Sequence, residues 1–208
     1  MRSRLLLCGL VAIALPALAG CGNAASSGPA AGAGGSVPTA PALRDDSPQL
    51  VLQADQLGGG FVLLTKATKP ITLKHELQHE GAAARAADRR SYLGGYETGF
   101  SGNGMVVLSE AAAYREASDA AITIGDKTGL HYALKEFHAH KVKAPADSPG
   151  QDGVALVGAV PSGGRTYPLH AYMWRSGNHL GGVFVIGGGI TSEQVAQYAA
   201  AQNSQYPA

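Results

Sequence analysis

The stretch Tyr167–Gly187, YPLHAYMWRSGNHLGGVFVIG, is the part of the sequence that most clearly decides the fold. Large apolar residues recur at every second position on either side of a short polar segment, which is the pattern of a β-hairpin with one buried face. The side chains predicted to enter the core from this face are Leu169, Ala171, Met173, Leu180, Phe184 and Ile186.

The opposite face of this hairpin carries the aromatic residues. With Ser176-Gly177 as a two-residue turn, Trp174 is predicted to pair with His179 and Tyr172 with Gly181. Aromatic side chains on a sheet face can form a platform for a ligand, or they can pack under a helix. Both interpretations stay open for Tyr172, Trp174 and His179.

The rest of the chain alternates strands and helices. Further strands are predicted at Gly60–Lys66, Tyr92–Phe100, Met105–Glu110 and Val154–Val160, with a hairpin turn at Ser101–Gly104. Helices are predicted at Thr72–Arg90, at Ala111–Phe137 with an interruption at Gly125–Gly129, and from Thr191, where Gln194 completes a capping box. Adjacent strands separated by helices predict an α+β fold: a single domain over residues 48–208, with an antiparallel sheet covered by helices in an α/β/α sandwich-like arrangement.

A different kind of sequence precedes this domain. Residues 1–20 combine a basic start with an apolar run of about eleven residues, which indicates a secretory signal and is too short to span a bilayer. The four residues Leu18-Ala19-Gly20-Cys21 resemble the lipobox of bacterial lipoproteins. That resemblance implies cleavage before Cys21, acylation of its thiol and anchoring on the exported side of the cell membrane or outer membrane.

Composition limits the functions that the exported chain can have. Residues 21–47 are rich in Gly, Ala, Ser and Pro and predict a flexible linker. Without Arg2 and Arg4 of the signal, 14 basic residues face 15 acidic ones, so the balance argues against a nucleic-acid partner. Cys8 leaves with the signal, and Cys21 is consumed by lipid, so the domain is predicted to contain no thiol ligand or nucleophile.

The order of elements suggests one further resemblance. The predicted series β-α-β-β-α-β-β-β-α behind a lipobox and a linker resembles PsbP-like domains, the α/β/α sandwiches found in envelope lipoproteins. The resemblance covers about 155 residues and implies a fold and a location rather than an activity.

One short motif could carry chemistry. The segment His75-Glu76-Leu77-Gln78-His79 matches H-E-x-x-H, in which two histidines one helical turn apart bind zinc and the glutamate acts as base. Against a zinc-dependent peptidase, no further family motif follows, and Glu97, at a plausible distance for a third ligand, falls in a predicted strand. On a helical wheel His75 and His79 lie opposite the apolar stripe, which predicts a solvated polar surface.

Histidine could also bind metal elsewhere in the chain. His138 and His140 share a face if the chain there is extended, and imidazole ligands without thiols suit zinc or copper. The alternative is that they form a cationic end to the preceding helix.

Taken together, the sequence predicts a membrane-anchored envelope lipoprotein whose domain binds a small ligand or an envelope protein without catalysis. No cofactor is expected, and no catalytic residue is assigned. The alternatives are the zinc peptidase on His75, Glu76 and His79, with zinc as its cofactor, and metal binding by histidines.

Overall fold

An eight-stranded antiparallel sheet forms the centre of the computed structural model, which describes residues 45–207. The strands are β1 (Phe61–Leu63), β2 (Lys69–Ile71), β3 (Tyr92–Gly102), β4 (Met105–Tyr114), β5 (His140–Val142), β6 (Gln151–Ser162), β7 (Arg165–Ser176) and β8 (His179–Gly187). Their order across the sheet is β1, β3, β4, β8, β7, β6, β5, and β2 also pairs with β3.

Helices cover both faces of the sheet. They are α1 (Leu73–Glu76), α2 (Ala82–Ser91), α3 (Ala117–Ile124), α4 (Lys127–Glu136) and α5 (Ser192–Asn203), with short 3-10 helices at Ser47–Gln49, Ala54–Leu57 and Thr65–Ala67. On one face α5 and the chain around Leu52 pack on a core that includes Trp174 and Val183. On the other face α3 and α4 cover Leu180 and Phe184. The predicted antiparallel sheet covered by helices is confirmed.

The two hairpin turns follow from local residue types. Gly102 pairs with Met105, so the β3–β4 turn is Asn103-Gly104, with φ of 52° and 75°. Both angles lie in the left-handed region that asparagine and glycine tolerate best, which confirms the predicted hairpin. The capping box of α5 is also present, with Gln194 N donating to Thr191 Oγ1 at 3.3 Å.

The β7–β8 hairpin has the predicted faces but a different register. Ser176 pairs with His179, so the turn is Gly177-Asn178 and Trp174 lies opposite Gly181. Gly177 has φ of 58° and supplies the positive angle at the first turn position. Because the register differs by two residues, every side chain keeps its predicted face.

The predicted helix over Thr72–Arg90 is wrong, because two helices separated by an irregular turn replace it. α1 ends at Glu76 and α2 begins after Gly81. Gly81 N donates to Asp126 Oδ2 at 2.8 Å, and a side chain at Gly81 would collide with this carboxylate. The close approach of α4 therefore requires a glycine here, and glycine also disfavours the helix interior.

Two other boundaries differ from the prediction. β4 continues through Ala111–Ala113 to Tyr114, where a helix was expected to begin. These alanines are fully buried between β3 and β8, so tertiary packing overrides their helix propensity. The strand predicted over Gly60–Lys66 is shortened to β1, and a 3-10 helix follows it.

No helix within residues 45–207 is long and apolar enough to cross a bilayer. The predicted signal, the lipobox and Cys21 lie outside the described residues.

Candidate functional site

The H-E-x-x-H segment does not form the helix that a zinc peptidase needs. α1 ends at Glu76, so His79 lies beyond it and the two imidazoles do not follow one another along a helix face. The His79 ring instead stacks on Tyr132 of α4, with ring centroids 4.4 Å apart. The expected solvated surface is also wrong, because Glu76 is buried and both histidines are half-buried.

The second histidine pair lies on the surface. His138 follows α4 with φ of 44°, and His140 opens β5; both are exposed. Within residues 45–207, one set of three His, Asp or Glu side chains brings its ligand atoms together. This set contains neither His138 nor His140.

The aromatic residues of the β7–β8 hairpin form part of the core instead of an open platform. Trp174 is fully buried beneath α5, and its indole N–H donates to Asn203 Oδ1 at 2.8 Å. The Tyr172 hydroxyl donates to the Pro149 carbonyl at 2.9 Å. His179 is buried as well, with Nε2 3.0 Å from Asp46 Oδ1, so these polar groups are engaged within the domain.

Three buried carboxyl groups converge on the other face of the sheet. We call Glu76, Glu80 and Asp88 the carboxyl cluster: they come from the end of α1, the irregular turn and the inner face of α2, and one ligand atom of each lies within 4.8 Å of the others. Their exposed fractions are only 4%, 5% and 1%. The break in the predicted helix is what brings Glu76 and Glu80 against Asp88.

The cluster is only partly satisfied by hydrogen bonds. Asp88 Oδ1 accepts from the hydroxyls of Thr123 at 2.8 Å and Tyr114 at 3.2 Å. Glu80 and Asp88 also share a side-chain hydrogen bond, which requires a proton on one of the two carboxyl groups. Glu76 Oε1, Glu80 Oε2 and Asp88 Oδ2 are buried and accept no hydrogen bond from a described residue outside the cluster. A buried polar atom without a partner costs free energy, about 1–3 kcal/mol or more for a charged group.

This arrangement opposes ionisation of the cluster. Burial, then the neighbouring Asp88, raises the pKa of Glu76 to about 8. Burial, then Asp88 and Glu76, raises the pKa of Glu80 to about 9. Burial also raises the pKa of Asp88, against the hydrogen bond from Thr123. The cluster therefore retains protons at neutral pH unless a positive charge takes their place.

Two further buried acids lie on the same face of the sheet. Glu97 and Glu110 are direct partners across β3 and β4 and are both buried. Burial, then Glu97 and Glu76, raises the pKa of Glu110 well above its ordinary value. Lys69 on β2 lies 3.8 Å from Glu97. The group of buried acids whose surroundings oppose ionisation thus extends from the cluster to Glu110 in the sheet.

A cleft opens beside the carboxyl cluster. We call it the acidic cleft; its walls are formed by Glu76, Glu80, Thr123, Ile124, Asp126, Gly129, Leu130, Ala133, Val154, Met173, Leu180 and Gly181. Its space for the centres of water-sized molecules is about 60 Å³, against roughly 10–15 Å³ for one water. The cleft can therefore receive a small ligand or part of a larger one. Most of its side chains are apolar, and the acidic residues in the wall are Glu76, Glu80 and Asp126.

Sequence reasoning identified Glu76 for a different role and missed Glu80, Asp88 and Glu110. Glu110 had a signal, since it is the single charge in the apolar run VVLSEAAAY. Asp88 had a weaker one, since it lies among the alanines of the inner face of α2.

Comparison with known proteins assigns no family to this chain. No protein-family model and no curated protein matches the sequence. Among solved structures, the extracellular domain of PknH from Mycobacterium tuberculosis has a TM-score of 0.43 and 12% identity over 74% of this chain and 93% of its own. An uncharacterized protein of Mycobacterium smegmatis has a TM-score of 0.40 and 12% identity over 71% and 90%. These TM-scores and identities are too low to indicate a function for this chain.

Proposed function

We propose that the protein is a lipid-anchored envelope domain that binds a small ligand in the acidic cleft, and that this ligand carries a positive charge on an apolar body. The observation that supports it best is the placement of Glu76 and Glu80 in the wall of a mainly apolar cleft, each with one buried oxygen, Glu76 Oε1 and Glu80 Oε2, that accepts no hydrogen bond from outside the carboxyl cluster.

The positive charge follows from the electrostatics of the site. This face of the sheet carries five buried acids: Glu76, Glu80, Asp88, Glu97 and Glu110. Lys69 forms an ion pair with Glu97. Ionised carboxylates are stable in such surroundings only beside a cation. A cationic ligand would replace the retained protons and satisfy the free oxygens at the same time.

The proposed apolar body of the ligand follows from the apolar residues that line the rest of the cleft. Ile124 and Leu130 come from the helices, and Val154 and Met173 come from the sheet. Burial of a methylene group against such walls stabilises a complex by about 0.8 kcal/mol. A bare inorganic cation would leave these contacts unused.

The proposed location of the protein at a membrane rests on its sequence. The signal pattern, the lipobox at Cys21 and the Gly-, Ala-, Ser- and Pro-rich composition of the segment that follows support a domain tethered to the exported side of a membrane.

Thermal unfolding of the mature chain at pH 8 tests the proposed binding, with n-hexylammonium chloride compared with n-hexanol. A ligand that binds the native state stabilises it by RT ln(1 + [L]/Kd), so the ammonium should raise the melting temperature more than the alcohol at equal concentration. The double variant Glu76→Gln/Glu80→Gln should lose this difference.

The exposed acid Glu116 supplies the matched control, because Glu116→Gln removes one carboxylate outside the cleft and should keep the wild-type response. An alcohol as effective as the ammonium, or a double variant that responds like the wild type, would contradict the proposal.

A further inference from the structure

The geometry points to a primary ammonium as the cationic group of the ligand, held by Glu76, Glu80 and Asp88 together. This inference rests on the proposed function of the acidic cleft and specifies its ligand. It depends on three side chains that are each more than nine-tenths buried and that each have one buried oxygen to which no described residue outside the cluster donates.

The first step is a match of donors to acceptors. A primary ammonium carries three N–H donors and no acceptor. When the retained protons leave, the cluster presents three acceptor oxygens without a donor from outside the cluster, Glu76 Oε1, Glu80 Oε2 and Asp88 Oδ2, on three carboxyl groups that approach within 4.8 Å of one another. One nitrogen between these groups could donate one charge-assisted hydrogen bond to each of them.

The second step excludes a quaternary ammonium. Such groups have no N–H donor and are recognised by the faces of aromatic rings. None of the described residues that line the cleft is aromatic. A trimethylammonium would leave all three oxygens unsatisfied.

The third step distinguishes the ammonium from a guanidinium and from a calcium ion. A guanidinium presents a planar fork suited to two oxygens of one carboxylate, whereas the cluster offers single oxygens from three side chains. Calcium requires six to eight oxygen ligands. The other carboxylate in the wall, Asp126, already accepts from the backbone N–H groups of Gly81, Thr128 and Gly129.

The fourth step concerns the source of the amine. A free alkylamine and a lysine side chain share the same chemistry, because the lysine stem is a four-carbon apolar chain that ends in an ammonium. Both would place methylene groups against Leu130 and Met173 while the nitrogen reaches the cluster.

Isothermal titration calorimetry of the mature chain at pH 8 tests the inference with n-hexylamine and its N-methyl, N,N-dimethyl and N,N,N-trimethyl derivatives. Each methyl group removes one N–H donor, so affinity should fall by about tenfold or more at each step. Asp88→Asn keeps the shape of the side chain and should reduce the preference for the primary amine. Glu116→Gln should leave that preference unchanged.

The outcomes separate the two proposals. If the trimethyl derivative binds as tightly as the primary amine, the cleft is a cation site but the primary-ammonium inference is wrong. If calcium chloride binds and displaces n-hexylamine, the cluster is a metal site and the inference is wrong. If none of the amines binds, the proposed function itself fails. Tighter binding of Nα-acetyl-lysine methylamide than of n-hexylamine would support the inference and identify a lysine side chain as the source.

Discussion

Gly181 lies directly opposite Trp174 across strands β8 and β7, and the absence of a side chain there lets the indole ring lie flat beneath α5. A Cβ at Gly181 would lie 2.6 Å from Trp174 Cε2 and 2.6 Å from the Tyr206 hydroxyl. The glycine is therefore required by packing, and the neighbour it accommodates is Trp174 instead of the Tyr172 that the sequence-based register indicated.

We expect Gly181→Val to destabilise the domain, because overpacking of a filled core typically costs 1–3 kcal/mol. For 150–250 residues each kcal/mol corresponds to about 2–4 °C in melting temperature. Gly188→Ala is the matched control, since Gly188 is exposed and a Cβ there meets nothing within 4 Å. Equal melting temperatures for the two variants in a thermal unfolding scan would show that this register is mistaken.

The parts of the fold that depend on neighbouring residues could be predicted from the sequence. Asn103-Gly104 supplies the two positive φ angles of its hairpin turn, and Thr191 with Gln194 supplies the cap of α5. In both cases the residues that make the contact are within three positions of each other.

The features that were missed depend on distant contacts. The break between α1 and α2 follows from the approach of Asp126 to Gly81, 45 positions away in the chain. The carboxyl cluster exists only because that break turns Glu80 toward Asp88. Helical periodicity alone contains no information on such a contact. The helical wheel therefore predicted a solvated face for His75 and His79 and assigned no role to Glu80.

The stability of the ligand-free domain should fall as the pH rises from 5 to 9. The pKa of Glu76 is about 8 and that of Glu80 about 9 in the folded chain, against an ordinary value of 4.5. Between these values the unfolded chain has released protons that the folded chain retains, so the stability contributed by these groups is complete below pH 4.5 and is lost as the pH rises through 8 and 9.

Melting temperatures across this pH range check that expectation. Glu76→Gln/Glu80→Gln should flatten the decline, because glutamine does not titrate, whereas Glu116→Gln should retain it. A wild-type profile with the same slope as the double variant would show that the two carboxyl groups are not held protonated by burial.

Zinc should stabilise the wild type no more than it stabilises His75→Ala/His79→Ala. α1 ends at Glu76, and His79 stacks on Tyr132, so the two imidazoles do not form the chelating pair of a peptidase helix. Metal content after chelation and addition of zinc provides the measurement. One equivalent of zinc in the wild type that is absent from the double variant would restore the peptidase hypothesis.

Cys21→Ser should release the protein from the membrane fraction, because the lipobox resemblance implies that the thiol of Cys21 carries the anchor. Fractionation with a salt wash separates lipid anchoring from weak electrostatic adsorption. A Cys21→Ser protein that still pellets with membranes after the wash would require a different anchor.

The binding of an amphiphilic cation in the acidic cleft is tested most directly by the methyl resonances of methionine. The chain contains Met1, Met105 and Met173; Met173 lines the cleft, whereas Met105 packs on the opposite face of the sheet. In the ¹³C-methyl-methionine spectrum of the wild type at pH 8, n-hexylammonium should shift the Met173 signal saturably and leave Met105 in place, and the shift should disappear in Glu76→Gln/Glu80→Gln. An unmoved Met173 signal at saturating ammonium, or an equal shift in the double variant, would contradict the account.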